Sequence, residues 1–350
     1  MKNIIQFSRV FITALLLGIL VGCRDDSSTT TDFTPVIELV SASVNAEGQP
    51  VNPLEATHVG FANNTYIIKG RNLQSTKHVY FNGYETTFNS NFVTDGAIII
   101  TIDENTPYTN ITNKLEVVTT YGTAEYDFVI APPAPVFNGF HPINAADGSN
   151  ITIKGNYFVN PTVTVGDAEA TIVSYTLTEI VATLPAGSQG KKVSVSTLSG
   201  ALTYQSQIGT SIYDDAFYGA VTNSTWSGDV YDVAYAEDPA NIWQGTKAIK
   251  WSAKAWSGFQ IDNSPSIPSN AKGIRFYIKS NATINQGIKI ILNYSSSATP
   301  TISAGTSYEY VEIPFSEFGL TASPGTMNLT FNNANGENND IYLDDIGYYY

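Results

Sequence analysis

Ile67-Ile68-Lys69-Gly70-Arg71-Asn72-Leu73 returns 85 positions later as Thr152-Ile153-Lys154-Gly155-Asn156-Tyr157-Phe158. The echo continues on both sides of that offset. Val79-Tyr80-Phe81-Asn82-Gly83 answers to Val163-Thr164-Val165-Gly166-Asp167, and Thr120-Tyr121-Gly122 answers to Leu198-Ser199-Gly200. Self-similarity at this spacing marks two copies of one fold. Pro132-Pro133-Ala134-Pro135 lies between them, and a run of prolines cannot continue a strand ladder, so it reads as a stiff linker. From Pro35 onward, short runs rich in Val, Ile, Thr, Tyr and Phe alternate with Gly, Asn, Pro and Ser. No window of about 12 residues in that stretch carries a helical period, so the chain reads as all-β.

The strand, the Lys-Gly turn and the short return strand of each copy resemble the immunoglobulin-like IPT/TIG module. The resemblance spans about Pro35 to Ile208, as modules at 35–131 and 132–209. In that family the modules serve as spacers, as protein-contact domains or as parts of DNA-binding factors. Neither copy contains a tryptophan, and Tyr80, Tyr84, Tyr121 and Tyr157 read as strand-face packing.

Charge removes the nucleic-acid role. Lys and Arg number 17 against 31 Asp and Glu, a net charge of −14. That field repels phosphate backbones, so no nucleic-acid partner is expected. Charged residues make up only 14% of the chain while Tyr reaches 21 and Phe 17, the balance of an extracellular β-protein whose surface is made of Ser, Thr, Asn and Tyr. A single cysteine excludes an internal disulfide, and His58, His78 and His141 show no metal-ligand spacing.

At the N-terminus, Lys2 and Arg9 precede the apolar run Val10 to Val21, which is short for a membrane span and reads as a signal peptide over 1–22. Leu20-Val21-Gly22-Cys23 resembles the bacterial lipobox, which implies lipidation of Cys23 after cleavage. Arg24-Asp25-Asp26 resembles the signal that sends lipoproteins of Bacteroidetes to the outer face of the outer membrane. Residues 23–34 then supply the lipidated cysteine and a polar tether.

Residues 210–350 differ from both copies. Trp226, Trp243, Trp251 and Trp256 all fall within this last third. An indole offers a flat apolar face to the C–H surface of a sugar ring, so carbohydrate is the expected ligand. Period-2 counting groups Trp251 with Ile249 and Ala253 as core, whereas Trp226 sits in the turn-rich Asn223-Ser224-Thr225-Trp226-Ser227-Gly228 and is the first platform expected. Trp243 and Trp256 stand near strand ends as further ligand contacts. Alternation puts Gln260, Arg275, Tyr277 and Asn328 on polar faces, where they are expected to form a concave sugar-binding surface.

Ile212-Tyr213-Asp214-Asp215 at its start and Ile341-Tyr342-Leu343-Asp344-Asp345 at its end make the module resemble a galactose-binding-like β-jelly roll of the carbohydrate-binding kind. That resemblance implies Asp214 and Asp344 as ligands of a structural calcium, with no other cofactor required. Paired Asp residues that merely end strands or accept hydrogen bonds remain the alternative.

Little supports catalysis. Jelly-roll glucanases align two acids on one strand face, but Asp344 and Asp345 are neighbours and are expected to point to opposite faces. No histidine follows His141 to complete a triad. The order of anchor, two Ig-like modules and an aromatic-rich jelly roll resembles the surface glycan-binding lipoproteins of Bacteroidetes, with a SusE/F-like or SGBP-B-like role. This implies non-catalytic capture of a polysaccharide at the cell surface for a SusC/SusD-type transporter, with a neutral β-glucan such as laminarin preferred. An adhesin or structural lipoprotein with a protein partner is the alternative, followed by a polysaccharide-degrading enzyme.

Overall fold

The computed structural model describes residues 32–350; the signal peptide, Cys23 and most of the tether lie outside them. Among the described residues the regular elements are strands and three short 3-10 turns.

The two copies are sandwiches built on one plan. In the first, Val36–Ala42, Thr65–Arg71 and Ala97–Thr101 form one sheet, and Tyr84–Glu85, Thr76–Phe81, Lys114–Thr119 and Gly122–Asp127 the other. In the second, Val136–His141, Asn150–Asn156, Glu179–Thr183 and Thr171–Tyr175 face Ala168–Glu169, Thr162–Val165, Lys192–Thr197 and Gly200–Gln207. The repeated Lys-Gly has a steric cause. A Cβ on Gly70 would lie 1.9 Å from the carbonyl oxygen of Val36, and one on Gly155 would lie 1.9 Å from that of Val136. Both first strands break register at this crossing, so only glycine lets the two backbones approach. On either side Ile68 and Leu73 of one copy, and Ile153 and Phe158 of the other, are fully buried.

The third module packs two sheets face to face. One runs Thr222–Trp226, Gly258–Asp262, Leu329–Asn333, Ile284–Leu292, Thr301–Ala304. The other, seven-stranded, is organised by the final strand Asn339–Tyr349, which pairs with Ser211–Asp214 and Ala248–Ala253 along one edge and with Gly273–Ser280 along the other. Between the sheets lie Trp251, Phe259, Phe276 and Phe331, all with no exposed surface. Trp251 is core, and its indole N–H donates to Asp229 at 2.7 Å.

A bulge in the final strand overturns the expected alternation of its acids. The register against Gly273–Ser280 slips between Arg275 and Tyr277, and Asp345 takes φ 46°. The extra residue turns Asp345 to the same side as Asp344, and both carboxyls are buried against the second module. Arg275 Nη1 donates to Asp345 at 2.6 Å, Arg275 Nη2 to Thr210 at 2.8 Å, and Ser206 of the second module donates to Asp345 as well. Beside them Trp243 stacks on Tyr277 with centroids 4.4 Å apart and donates its indole N–H to Tyr204 at 2.6 Å. Gly139 closes the seam, since a Cβ there would lie 2.8 Å from Cβ of Gln244. Tyr277 thereby belongs to the second module's core.

Two outcomes follow from this seam. Arg275→Met leaves Asp345 buried without its cation and is expected to cost roughly 3–5 kcal/mol, read by urea unfolding, with Asp345→Leu in the same chain restoring most of the loss. The second concerns His141, whose Nδ1 lies 2.8 Å from the Asp214 carboxylate. That bond raises the imidazole pKa in the folded state. Its contribution is therefore complete below the free-histidine value of about 6.5 and disappears as pH rises through the raised one. Thermal melts from about pH 5.5 to 8.5 are expected to show a fall in stability that His141→Asn flattens.

Candidate functional site

The outer face of the five-stranded sheet is left free by the other modules, and it carries the exposed indole of Trp226. Thr222, Ser224 and Trp226 project outward from the edge strand, and Trp226 pairs with Gly258 on the next strand. A Cβ on Gly258 would lie 2.0 Å from Cη2 of Trp226. Glycine thus lets the indole lie flat on the neighbouring strand with its opposite face toward solvent, at 39% exposure. Flat support beneath and open solvent above is the geometry needed to stack on the C–H face of a sugar.

Further along the same face a polar network is fixed in place. Gln260 Nε2 donates to Asp262 at 2.7 Å, and the Tyr294 hydroxyl donates to the other Asp262 oxygen at 2.7 Å. Asp262 raises the phenol pKa of Tyr294 through that bond. Tyr294 is 60% exposed at φ 59°, behind Asn293 at φ 50°. From Gly258 to Asp262 is four residues of strand, about 13 Å. The face therefore offers an aromatic ring at each end and a carboxylate–carboxamide pair near one of them, with acceptors and donors held for hydroxyl groups.

Trp256, two residues before Gly258, is 65% exposed and sits at φ 62°. The left-handed region costs a residue with a Cβ about 1–2 kcal/mol, so the turn must be held by its surroundings. It is: Ser257 bonds back to Lys254, and Asn332 Nδ2 donates to the Ser257 carbonyl at 2.7 Å. The ring edge meets Gly336, where a Cβ would lie 3.2 Å from Cζ2.

Of the residues expected to bind ligand, Trp226, Trp256 and Gln260 lie around the Gly258 strand of this one sheet. Asn328 lies at its far end and is engaged in holding loops, its side-chain oxygen accepting from Asn263 N and its own N–H donating to Asn293. Arg275, Tyr277 and Trp243 correct the expectation of one shared surface. Arg275 and Tyr277 stand on the opposite sheet and Trp243 on the segment leading into it, where the second module covers the outer face. Arg275 has no exposed surface and Tyr277 only 4%, so neither reaches a polysaccharide. Alternation identified the polar side of the strand correctly, but a polar side can face another domain as well as water.

Asp214 and Asp344 both stand as hydrogen-bond acceptors, the alternative to calcium ligation. Asp214 accepts from His141, the Ile143 N–H and Gln244 Nε2, and Asp344 accepts from the N–H groups of Trp243, Gln244 and Asp345. Calcium needs converging oxygens, whereas these carboxylates are ringed by N–H donors. Burial, with the Asp345 charge beside it, pushes the Asp344 carboxyl well above its ordinary range. His141, Asp214 and Asp215 bring ligand atoms within 4.8 Å of one another, but Asp215 is likewise taken up by Thr246 and the Lys247 N–H. All three are structural bonds of the seam.

Sequence reasoning missed Gly258 and Tyr294. The glycine's neighbour across the strands was not readable without the register, while Asn293-Tyr294 carried a turn signal that went unused.

Residues 135–212 match the IPT/TIG domain, and residues 212–350 match the expansin-like protein C-terminal domain. An IPT/TIG domain-containing protein of Bacteroides ovatus is 27% identical over 174 residues, 45% of this chain; the match spans only about a third (33%) of that relative's length. Among solved structures the chain is similar to the surface glycan-binding protein PbSGBP-B of Prevotella bryantii, at 18% identity and a TM-score of 0.47 over 90% of this chain and 98% of that one. It is also similar to an SGBP-B from a complex xyloglucan utilization locus in Bacteroides uniformis, at 17% identity and a TM-score of 0.38 over 90% and 99%. A family 29 carbohydrate-binding module covers 40% of this chain and 86% of its own, at 15% identity and a TM-score of 0.28.

Acrylamide quenching is expected to divide the four tryptophans. Trp226→Ala and Trp256→Ala together should remove nearly all quenchable emission, leaving Trp243 and Trp251 shielded, and Gly258→Ala alone should raise quenching by lifting the Trp226 ring off the sheet.

Proposed function

We propose that this chain is a non-catalytic polysaccharide binder whose site is the outer face of the five-stranded sheet. The observation that carries the reading is Trp226 lying flat on Gly258, a supported aromatic platform open to solvent, with the Gln260–Asp262–Tyr294 network beside it. No cleft encloses this platform, so it suits an internal stretch of a long chain better than a small molecule buried on all sides. Stacking contributes about 0.5–1.5 kcal/mol per aromatic beyond area burial, which supports modest affinity and release. Affinity then grows with the number of copies that one chain can engage on a cell surface.

The ligand in this reading is a neutral glycan. Asp262 sits on the face itself and the whole chain carries −14, so uronate or sulfate polymers meet repulsion on approach and on contact. A neutral β-glucan such as laminarin fits. Cys23 supplies the lipid anchor at the outer face of the outer membrane, and the Ig-like modules carry the jelly roll away from the lipid. Captured glycan passes to a SusC/SusD-type transporter. No cofactor is required for stacking, and no calcium is assigned to Asp214 and Asp344.

Affinity gel electrophoresis of residues 24–350 through laminarin, other neutral polysaccharides and alginate tests the reading. Retardation by at least one neutral polymer, lost in Trp226→Ala and weakened in Tyr294→Ala, is expected, with none on alginate. Free migration on every neutral polymer would overturn it and favour an adhesin.

A further inference from the structure

We propose that the cleft between the first and second modules is a separate saccharide site, taking a neutral oligosaccharide. It shares the ligand class of the reading above but rests on its own lining, which has no residue in common with the Trp226 face. The cleft has a volume of about 810 Å³, within the range of roughly 300–1,000 Å³ usual for small-molecule sites. Its walls are the Tyr108–Asn113 loop of the first module, the linker before Pro133, and the Phe158–Asn160, Tyr175–Leu177 and Ser196–Leu198 turns of the second.

The chemistry of those walls selects the ligand. No lining residue is charged, in a chain with 31 acidic and 17 basic residues. What lines it instead is tyrosine, asparagine, serine and threonine among aliphatic side chains, with Tyr175, Leu177 and Leu198 all exposed. An ionic ligand would lose its hydration here with no opposite charge to replace it. A sugar presents C–H faces to Tyr175 and Leu198, and hydroxyls to the amides of Asn110 and Asn160. The Tyr175 hydroxyl already donates to Asn160 Oδ1 at 3.1 Å, which leaves the Asn160 amide N–H groups to donate.

The repeat shows that the equivalent end of the first module is narrower and differently furnished. At the same end of the first module the incoming segment leaves a smaller cavity, of about 280 Å³, with Phe33, Asn72 and Tyr121 among its walls. Asn72, the counterpart of Tyr157, donates to the carbonyls of Asp32 and Thr34, and Tyr121, the counterpart of Ser199, stacks on Phe33 at 5.1 Å. In the second module Tyr157 meets Tyr108 edge-on at 6.5 Å, and the Ser199 hydroxyl donates to the Pro132 carbonyl. The cleft between the modules, at about 810 Å³, is the larger of the two spaces.

Titration calorimetry on residues 24–350 with laminarihexaose, cellohexaose and mannohexaose tests the site. For at least one of them the wild-type chain is expected to bind two molecules, Trp226→Ala one, and Tyr175→Ala/Leu198→Ser the other one. Tyr175 and Leu198 are solvent-exposed, and melting temperature checks that the double variant stays folded. If Trp226→Ala abolishes all binding, the cleft proposal fails and the sheet-face reading stands. Binding that survives Trp226→Ala and is unchanged by Tyr175→Ala/Leu198→Ser also overturns the cleft. If the cleft variant loses the only binding present, the cleft stands and the sheet face fails. Absence of binding by the wild-type chain to all three overturns both.

Discussion

The bulge at Asp345 decides how the C-terminal half of this protein is put together. A regular strand would send Asp344 and Asp345 to opposite faces, one of them into the apolar core between the sheets, where a carboxylate is very costly. One extra residue at φ 46° sends both to the outer side instead. There Asp345 meets Arg275 and Ser206, and Asp344 meets the backbone N–H groups of Trp243 and Gln244. Such a buried ion pair is weak as a source of net stability but strongly specific, since removing either partner strands the other. Ser206 donating to Asp345, with Tyr204 against Trp243 and Tyr277, joins the second module to the third.

That union assigns the two outer faces of the jelly roll. The seven-stranded sheet gives much of its outer surface to the second module, with Trp243, Tyr277 and Tyr204 stacked across the boundary. The five-stranded sheet keeps its surface for solvent and displays Trp226 and Tyr294. Aromatic residues thus do two jobs in one module, and what separates them is only which sheet they stand on. The second Ig-like module is accordingly more than a spacer, because it supplies part of the packing that holds the jelly roll's far sheet.

The same physical device recurs at the positions that matter most. Gly70 and Gly155 allow one backbone to cross another in the Ig-like modules, and Gly258 allows an indole to lie on a strand. In each case a Cβ would lie about 2 Å from the neighbouring atom, so no other residue permits the approach. The repeated glycine was legible because it occurs twice in one local motif. Gly258 was not, because its partner Trp226 lies across a strand pairing that local sequence does not reveal.

What the amino-acid sequence determined alone is the all-β class, the tandem copies, and the aromatic character of the last third. These follow from local period, turn chemistry and internal repetition, all of which are written along the chain. It also told the polar side of each strand from the apolar one, as with Arg275 and Tyr277 against Phe276. Only the tertiary structure decided whether a polar side meets water or another module, and which donors surround Asp214 and Asp344. Those outcomes depend on register, on a single-residue bulge and on contacts between segments more than a hundred residues apart, such as Ser206 with Asp345. Period-2 patterning fixes direction relative to a strand, and it carries no information about what waits on the other side.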